Sequence, residues 1–218
     1  MNRAEEDYIK SIYELTFEKN KPLIKANDLA ERFGYSDQSV NEMIKKLESK
    51  QLVNFIPYKG ISLTPKGKKV AIRMIRAHRI WEVFLTSKLG YSWESVHDDA
   101  ERLEHATSDE VIEKLYQFLG EPKFCQHGNP IPDLKGKMEL PETHTLFEAK
   151  MNDVFEITRV LDHKDLLLYL NDIKLSLYGR MTIIDKDTLN EIVTVKYNNR
   201  VHKIGFKTAT MLFGRTIL

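Results

Sequence analysis

Apolar residues in the first half of the chain recur every three or four positions, which is the spacing of amphipathic helices. Residues 4–18 follow this spacing and predict a first helix. Residues 27–33 predict a second, shorter helix, with Asn27 as its N-cap and Gly34 just past its end. These two helices precede the segment with the clearest helical pattern.

The third predicted helix begins after Ser36, a residue type that readily caps a helix N-terminus. Its apolar stripe is formed by Val40, Ile44 and Leu47, which leaves the polar side chains of the same segment facing outward. Residues 52–64 then alternate between apolar and polar positions around a Tyr-Lys-Gly tip, and they predict a short β-hairpin. Helix, turn, helix and hairpin in this order are typical of a winged helix-turn-helix.

Three further helices are predicted in the middle of the chain from their start signals. The pair Thr64-Pro65 places an N-cap before a proline at the first helical position. Ser92 is the candidate N-cap of the next helix, and Thr107 opens the third with capping-box spacing. The predicted spans run from Pro65 to about Thr86, from Ser92 to about Ala106 and from Thr107 to Gly120.

The second half of the chain begins with a segment rich in proline and glycine, residues 122–144, which predicts an interdomain linker. Beyond it the pattern changes to short β-like runs. These lie at 155–161, 181–185 and 192–197, with a leucine-rich helix at 165–174 and a turn at Asn198-Asn199. We therefore expect a fold that is mainly α over the N-terminal two-thirds, followed by a small β-rich, barrel-like C-terminal domain.

Composition limits the class of protein. Hydrophobic residues make up 42% of the chain and charged residues 30%, which is ordinary for a globular protein. No apolar run approaches the roughly 20 residues that a membrane helix needs, and the opening MNRAEEDYIK lacks the apolar core of a signal peptide. Cys125 is the only cysteine, so no internal disulfide can form. We expect a cytoplasmic protein without a membrane partner.

The distribution of charge is more informative than the net charge of +1. Residues 44–79 contain ten Lys and Arg against one acidic residue, whereas residues 80–123 contain four basic and ten acidic residues. A basic block beside an acidic block favours one surface for phosphates and another for cations. Two solvated faces that happen to differ in charge are the alternative.

The third predicted helix carries side chains suited to reading DNA. A reading helix needs short polar residues near its N-terminus, because these reach base edges while the apolar stripe packs on the core. Lysines beyond them lie where phosphates would be, and a lysine at the hairpin tip could enter or flank a minor groove. An ordinary amphipathic hairpin, or a helix-turn-helix that contacts protein, would look similar. The candidate DNA contacts are Ser36, Gln38, Ser39, Asn41, Lys45, Lys46 and Lys59.

The acidic block contains candidate metal ligands on two successive helices, within an arc of about 100° on the second of them. They are His97, Glu101, Glu104 and His105 on the helix after Ser92, and the i,i+4 pair His78 and Glu82 on the preceding helix. Each residue alone would more often be structural, but together they predict a metal site. Carboxylates and imidazoles without a thiolate cluster favour manganese(II) or iron(II), although zinc(II) would also bind. Cys125 and His127 are either additional ligands or ordinary loop residues.

The sequence lacks the common enzymatic motifs. The string E-R-L-E-H has Glu101 where H-x-x-E-H peptidases need a histidine, and neither a P-loop nor GxGxxG occurs. Cys125 lies in a segment rich in proline and glycine, which is a poor place to fix a nucleophile. We therefore expect a protein that is not an enzyme and has no small-molecule substrate. A metal enzyme with an accessory helix-turn-helix is the alternative.

Several strings resemble the diphtheria-toxin-repressor/MntR family of metalloregulators, most closely its manganese-sensing streptococcal-type branch with a C-terminal FeoA-like domain. They are EDYIKSIYEL, DLAERFGYSDQSVNEMIKKLESKQLV, YKGISLTPKGKKVA, HRIWEVFL and HDDAERLEH. The resemblance covers the whole chain and is strongest over residues 4–106. It implies a homodimeric, manganese-dependent repressor that binds palindromic operators of metal-uptake genes, with an iron(II)- or zinc(II)-responsive repressor as the alternative.

The resemblance also implies how the ligands divide between two sites. The first helix contributes Asp7 to a primary site whose other ligands are Glu101, Glu104 and His105. Iron-type members have Met and Cys in place of Asp7 and Glu101, so the oxygen donors in this chain favour manganese. Lys10 stands where members with a closely spaced binuclear centre have Glu, which argues against that arrangement. The expected secondary site comprises His78, Glu82, His97, Cys125, His127 and Asp162.

The resemblance further implies four segments with distinct roles. They are 1–64, a winged helix-turn-helix; 65–121, a helical metal-binding and dimerisation domain; 122–144, a linker; and 145–218, a FeoA-like small β-barrel. A metal ion between Asp7 and the ligands of the dimerisation domain is expected to fix the reading head relative to the dimer axis, so that metal and DNA binding favour each other.

Overall fold

The computed structural model describes residues 1–18, 21–139 and 141–217. The chain forms two compact units. The first contains Met1–His78, Arg102–Glu113 and Pro132–Lys137, and the second contains Arg79–Glu101, Lys114–Ile131 and Met138–Leu218. The predicted domain boundaries remain a prediction, because they rest on functional roles as well as on compactness.

The first 64 residues contain the predicted helices and hairpin. The elements are α1 (Arg3–Glu18), α2 (Ala26–Phe33), α3 (Asp37–Ser49), β1 (Val53–Ile56) and β2 (Gly60–Leu63). The two strands pair in antiparallel register. The helices share one buried core that includes Ile9, Ile12, Ile44 and Leu47. Each fully buried side chain of this size contributes roughly 1.5–3 kcal/mol relative to exposure, so this core holds the three helices together.

The N-caps explain where α2 and α3 begin. Ser36 caps α3 as predicted, since its Oγ accepts a hydrogen bond of 3.3 Å from the backbone N–H of Ser39. The prediction for α2 is wrong in detail, because its N-cap is Lys25 and Asn27 lies inside the first turn. The backbone N–H of Lys25 donates to the Asp28 carboxylate at 2.8 Å. The Asp28 side chain thus accepts a hydrogen bond at the start of α2, where Asn27 was expected to act as the cap.

Three helices follow the hairpin: α4 (Pro65–Leu89), α5 (His97–Ala106) and α6 (Asp109–Phe118). The prediction that Ser92 caps α5 is wrong. Its carbonyl accepts the N–H of Ser95 at 3.1 Å, but this single turn is not continued as a helix before His97. Thr107 does not cap α6 either, because its hydroxyl donates back to the carbonyl of Leu103 in α5. Across the described residues, no helix is long and apolar enough to cross a membrane.

The second unit contains a six-stranded antiparallel sheet. Its strands are β3 (His144–Thr145), β4 (Val154–Val160), β5 (Arg180–Asp187), β6 (Ile192–Tyr197), β7 (Arg200–Gly205) and β8 (Leu212–Ile217), with α7 (Lys164–Asp172) and a short α8 (Phe206–Ala209). The strand order is β3-β8-β4-β5-β6-β7. The three predicted β runs and the leucine-rich helix are confirmed, whereas β3, β7 and β8 were not predicted.

Local sequence explains the hairpin and the packing of this sheet. Asn198 and Asn199 have φ of 49° and 61°, the left-handed values that a two-residue hairpin turn needs at both central positions. Leu166, Leu167 and Leu170 of α7 are buried in the same hydrophobic cluster as the sheet. The β-rich C-terminal domain is therefore confirmed. The term barrel-like overstates its closure, since no described strand joins the edge strands β3 and β7.

Candidate metal centres and DNA-reading helix

Helices α1 and α5 bring three predicted primary ligands together in the first unit. His105 Nε2 lies 2.8 Å from Asp7 Oδ1 and 3.7 Å from Glu104 Oε1. One potential ligand atom from each of these residues lies within 4.8 Å of the others. Glu101, the fourth predicted ligand, is on α5 one turn before His105, and its Oε2 lies 3.4 Å from His97 Nε2.

The orientation of the His105 imidazole fits a cation at this centre. Its Nδ1 lies 2.7 Å from Glu6 Oε2, and an Nδ1–H donor there leaves the lone pair of Nε2 directed toward Asp7. No described residue forms a hydrogen bond of acceptable geometry with the buried Nε2. Two basic atoms this close fit the role of ligands of a common ion. Sequence analysis missed Glu6, although it directly precedes Asp7.

A positive charge of the chain itself lies beside Glu104. Lys10 Nζ donates to the two Glu104 oxygens at 2.9 and 2.8 Å, and His78 Nδ1 lies 2.5 Å from Glu104 Oε2. Burial opposes ionisation of Glu104, but Lys10 and His78 lower its pKa from 4.5 to about 2. Glu104 is therefore an anion at neutral pH. His78, which was predicted to belong to the secondary site, contacts a primary-site residue.

The second unit brings together five of the six predicted secondary ligands. His127 Nδ1 lies 3.0 Å from Glu82 Oε1 and 3.7 Å from Asp162 Oδ1. His97 Nδ1 lies 3.1 Å from the same Asp162 oxygen. Glu82, Cys125 and His127 are all buried, and one ligand atom from each lies within 4.8 Å of the others. The carboxylates of Glu82 and Asp162 thus lie beside nitrogen and sulfur donors of the same unit.

The hydrogen bond of His127 and the pKa shifts of His127 and Cys125 also fit a cation at the second centre. His127 Nε2 lies 2.7 Å from the carbonyl oxygen of Trp93, which makes Nε2 the donor and turns Nδ1 toward Glu82. Burial would lower the pKa of His127, but the Glu82 carboxylate raises it above its usual range. Burial, and then Glu82, raises the pKa of the Cys125 thiol. His127 and Cys125 thus hold protons beside the Glu82 carboxylate. A bound divalent ion would replace these protons and balance the charge of Glu82.

The turn that carries Cys125 and His127 is fastened to strand β4. The His127 carbonyl accepts the N–H of Val160 at 2.9 Å, and Asn129 Nδ2 donates to the Val160 carbonyl at 3.0 Å. Asp162 follows Val160 by two residues. The same pair of hydrogen bonds therefore sets the position of His127 relative to Asp162.

A glycine makes this close approach possible. Gly128 has φ +76°, and a Cβ on it would overlap the carbonyl oxygen of Thr158 in β4. Only glycine combines this left-handed conformation with the missing side chain. Sequence analysis identified neither Gly128 nor Asn129 as a site residue. The available signal was the turn-forming string H-G-N-P within the segment that was predicted to be a linker.

Most of the predicted DNA contacts form one exposed surface of α3 and the hairpin tip. Ser36 and Ser39 are exposed at the N-terminus of α3, where the Ser36 hydroxyl caps the helix by accepting the backbone N–H of Ser39. Gln38 Nε2 donates to Glu42 Oε1 at 3.1 Å one turn along the same face. The remaining members are also exposed: Asn41, Lys45, Lys46 and, between β1 and β2, Lys59. Short polar side chains thus occupy the solvent-facing start of α3, as the sequence predicted.

Lys46 differs from the other predicted DNA contacts. Its Nζ lies 2.9 Å from Glu5 Oε1, an oxygen that also accepts a hydrogen bond of 2.7 Å from Lys50. The hydrogen bond from Lys50 lowers the pKa of Glu5 to about 2 although burial opposes it, and Lys46 acts in the same direction. Lys46 is therefore engaged with a buried carboxylate of α1, whereas Lys45 points to solvent.

Two family models match consecutive parts of the chain. Residues 1–61 match the model described as "Iron dependent repressor, N-terminal DNA binding domain". Residues 64–133 match the model described as "Iron dependent repressor, metal binding and dimerisation domain". Together they cover more than half of the 218 residues.

One curated relative is the diphtheria toxin repressor of Corynebacterium glutamicum. It is 39% identical over 129 residues, which are 59% of this chain and 56% of the relative. The chain thus spans little more than half the length of this relative.

Solved structures resemble the chain over nearly all of its length. A manganese-dependent transcriptional repressor in complex with manganese has a TM-score of 0.85 and 30% identity, with 98% of this chain and 100% of that chain covered. The structure of ScaR with bound Cd²⁺ has a TM-score of 0.86 and 33% identity, with 100% of both chains covered. The chain belongs to the family of iron-dependent repressors that includes the diphtheria toxin repressors.

Proposed function

We propose that the protein is a manganese(II)-activated transcriptional repressor that binds palindromic operators of metal-uptake genes as a cytoplasmic homodimer. The observation that carries the proposal is the meeting of Asp7 with Glu104 and His105. Asp7 belongs to α1, which shares a hydrophobic core with the reading helix α3, whereas the other two residues belong to α5. A cation held between them would link the reading elements to α5.

Ligand chemistry supports manganese(II) as the ion of the first centre. Its proposed ligands are three carboxylates and one imidazole, without a thiolate, which suits manganese(II) or iron(II) better than copper. They are Asp7, Glu101, Glu104 and His105. The names of the comparison structures and of the family mention manganese, cadmium and iron. An iron(II)- or zinc(II)-responsive repressor is therefore the alternative. Selectivity would then depend on geometry and on the cellular supply of each metal.

The residues around the first centre have separable roles. The ion, when bound, supplies positive charge between Asp7 and Glu104. Glu6 orients the His105 ring through Nδ1, so that Nε2 presents its lone pair. Lys10 keeps Glu104 ionised and balances its single negative charge, which favours one ion over a closely spaced pair. Because the ion binds the DNA-competent arrangement better, DNA in turn strengthens metal binding.

We assign the second centre to an accessory divalent ion. Its proposed ligands are His78, Glu82, His97, Cys125, His127 and Asp162. The buried thiol of Cys125 favours a softer ion here than at the first centre. The Cys125 turn is held on β4 of the C-terminal sheet, so ion binding there would stabilise this turn against the strand that precedes Asp162.

The exposed start of α3 supports the DNA-binding part of the proposal. Ser36, Gln38, Ser39 and Asn41 would reach base edges in a major groove. Lys45 and the hairpin-tip Lys59 would contact the backbone or a flanking minor groove. A twofold dimer would place two such helices on the halves of a palindrome. We retain residues 1–64, 65–121, 122–144 and 145–218 as the reading, dimerisation, linker and C-terminal segments.

The variant Asp7→Ala tests this function directly. Operator affinity is measured by fluorescence anisotropy on the upstream region of a neighbouring metal-transporter operon, with manganese and with a chelator. We expect wild-type protein to bind tightly only with manganese, and Asp7→Ala to lose that difference while its unfolding transition is retained. Glu14→Gln, which alters another α1 carboxylate that bonds Arg32, is the control. Unchanged manganese dependence in Asp7→Ala would contradict the proposal, and parallel titrations with iron(II) and zinc(II) identify the preferred ion.

A further inference from the structure

Glu5, a buried carboxylate near the start of α1, forms ion pairs with the end of the reading helix α3. The Glu5 side chain is 1% exposed, and Lys50 Nζ donates to its two oxygens at 2.7 and 2.9 Å. Lys46 Nζ lies 2.9 Å from the first of these oxygens. The backbone N–H of Asn2 donates to the second at 3.2 Å. The last turn of α3 and its C-cap are thus bonded to the first turn of α1.

Glu5 and the proposed metal ligand Asp7 lie on opposite sides of α1. Residues two positions apart in an α-helix differ by about 200° around the axis. The contacts agree, because Glu5 bonds Lys50 at the end of α3, whereas Asp7 lies 2.8 Å from His105 of α5. Two residues of one helical turn therefore connect α3 on one side with the metal ligands on the other. A shift of α1 caused at Asp7 is transmitted directly to α3.

We propose that Glu5 is a positioning residue that couples metal occupancy at Asp7 to the orientation of the reading helix α3. The inference rests on the proposed function and adds the contact through which the two sites communicate. Removing the partner of a buried charge is strongly unfavourable, so the contacts with Lys46 and Lys50 resist sliding of α3 along α1. Lys46 then serves this contact rather than a phosphate, in contrast to the solvent-facing Lys45.

Glu5→Gln removes the charge and keeps the shape of the side chain. The ratio of operator affinities with and without manganese gives the coupling factor, which in allosteric proteins is typically about 5- to 150-fold. We expect Glu5→Gln to lower this ratio by about fivefold or more, because only the shared hydrophobic core, without the ion pairs, then connects α3 to α1. The affinity of the DNA-free protein for manganese should stay unchanged, since Glu5 points away from Asp7.

Glu14→Gln is the matched control. Glu14 Oε2 accepts a hydrogen bond of 2.7 Å from Arg32, an ion pair that joins α1 to α2 instead of α3. Its coupling factor should equal that of wild type. A Glu5→Gln variant that is less stable yet has the wild-type ratio would overturn the proposal, because Glu5 would then be structural only. If Glu5→Gln does not fold, Lys50→Gln gives the same test and leaves Lys46 on the carboxylate.

The wild-type measurement separates failure of this inference from failure of the proposed function. A wild-type ratio near one overturns both, whereas a large wild-type ratio that persists in Glu5→Gln and Lys50→Gln overturns only the role of Glu5. The variant Lys46→Gln tests whether Lys46 contacts Glu5 or a phosphate, and the measurement is the salt dependence of operator affinity. A lysine on a phosphate contributes about one unit to the slope of log affinity against log salt concentration. An unchanged slope supports the assignment of Lys46 to Glu5, and a reduced slope contradicts it.

Discussion

Replacing Gly128 with alanine tests how the second centre is held together. Gly128 has φ +76°, a conformation that costs an alanine about 1–2 kcal/mol. The new Cβ would also overlap the carbonyl oxygen of Thr158, so the turn must lift away from β4. Lifting breaks the hydrogen bonds that join His127 and Asn129 to Val160, each with a net contribution of roughly 0.5–1.5 kcal/mol. We expect the free energy of unfolding to fall by about 2–5 kcal/mol.

Gly120→Ala separates backbone strain from the collision. Gly120 also has φ +76°, but nothing lies within 4 Å of a Cβ built on it. Urea unfolding in the presence of a chelator should therefore show Gly128→Ala to be less stable than Gly120→Ala by about 1–3 kcal/mol. Zinc retained after dialysis gives the functional readout, and only Gly128→Ala should lose the ion of the second centre. Equal stabilities and equal zinc contents in the two variants would refute the reasoning.

Three further changes probe the remaining contacts. Although burial opposes it, Lys10 helps to hold the pKa of Glu104 at about 2 instead of 4.5, so this pair stabilises the fold above about pH 4.5 and loses its effect as the pH falls toward 2. Lys10→Met should therefore lower the urea-unfolding free energy by roughly 3–5 kcal/mol at neutral pH, and a loss that persists undiminished in acid would contradict this. Glu6→Gln should weaken manganese binding about tenfold or more in a metal titration, because His105 loses its orienting carboxylate; an unchanged affinity would exclude that role. Cys125→Ser should weaken zinc binding at the second centre more than manganese binding, and an equal loss for both ions would show that the thiol does not discriminate.

Local signals were sufficient to predict the reading helix. Ser36 caps α3, and the stripe of Val40, Ile44 and Leu47 is fully buried. Both features depend on residues within three turns of one another, which is the range over which capping and helical periodicity act. The candidate ligands on α5 were predicted to share one face for the same reason, since a helix places residues at i and i+4 on one face whatever surrounds it.

Contacts between distant parts of the chain could not be predicted in this way. Lys10 bonds Glu104 across 94 residues, and Lys50 bonds Glu5 across 45 residues. In the sequence each of these four residues is simply a charged residue on an amphipathic helix, and such a residue is usually solvated. Only the folded chain shows that Glu5 and Glu104 are buried and that particular lysines balance them.

The missed elements had ambiguous patterns. Strand β7, RVHKIG, has one buried position and lies at the edge of the sheet, so it lacks the apolar alternation that identified β6. Ser92 had the chemistry of an N-cap, yet the turn after it is not continued into α5. A residue's capacity to begin an element is local, but whether the element continues depends on what the following residues pack against.

The charges of the first centre bear on the number of divalent ions that it is proposed to bind. The proposed ligands Asp7, Glu101 and Glu104 carry three negative charges, and Lys10, bonded to both oxygens of Glu104, supplies one positive charge. A single divalent ion with neutral His105 then brings the sum over these four charged residues to zero. A second divalent ion would leave two positive charges that these ligands do not balance, which is unfavourable beside the fully buried Glu104. In the proposed site the ammonium of Lys10 therefore favours one ion over two, and metal occupancy would then act as a two-state signal at Asp7.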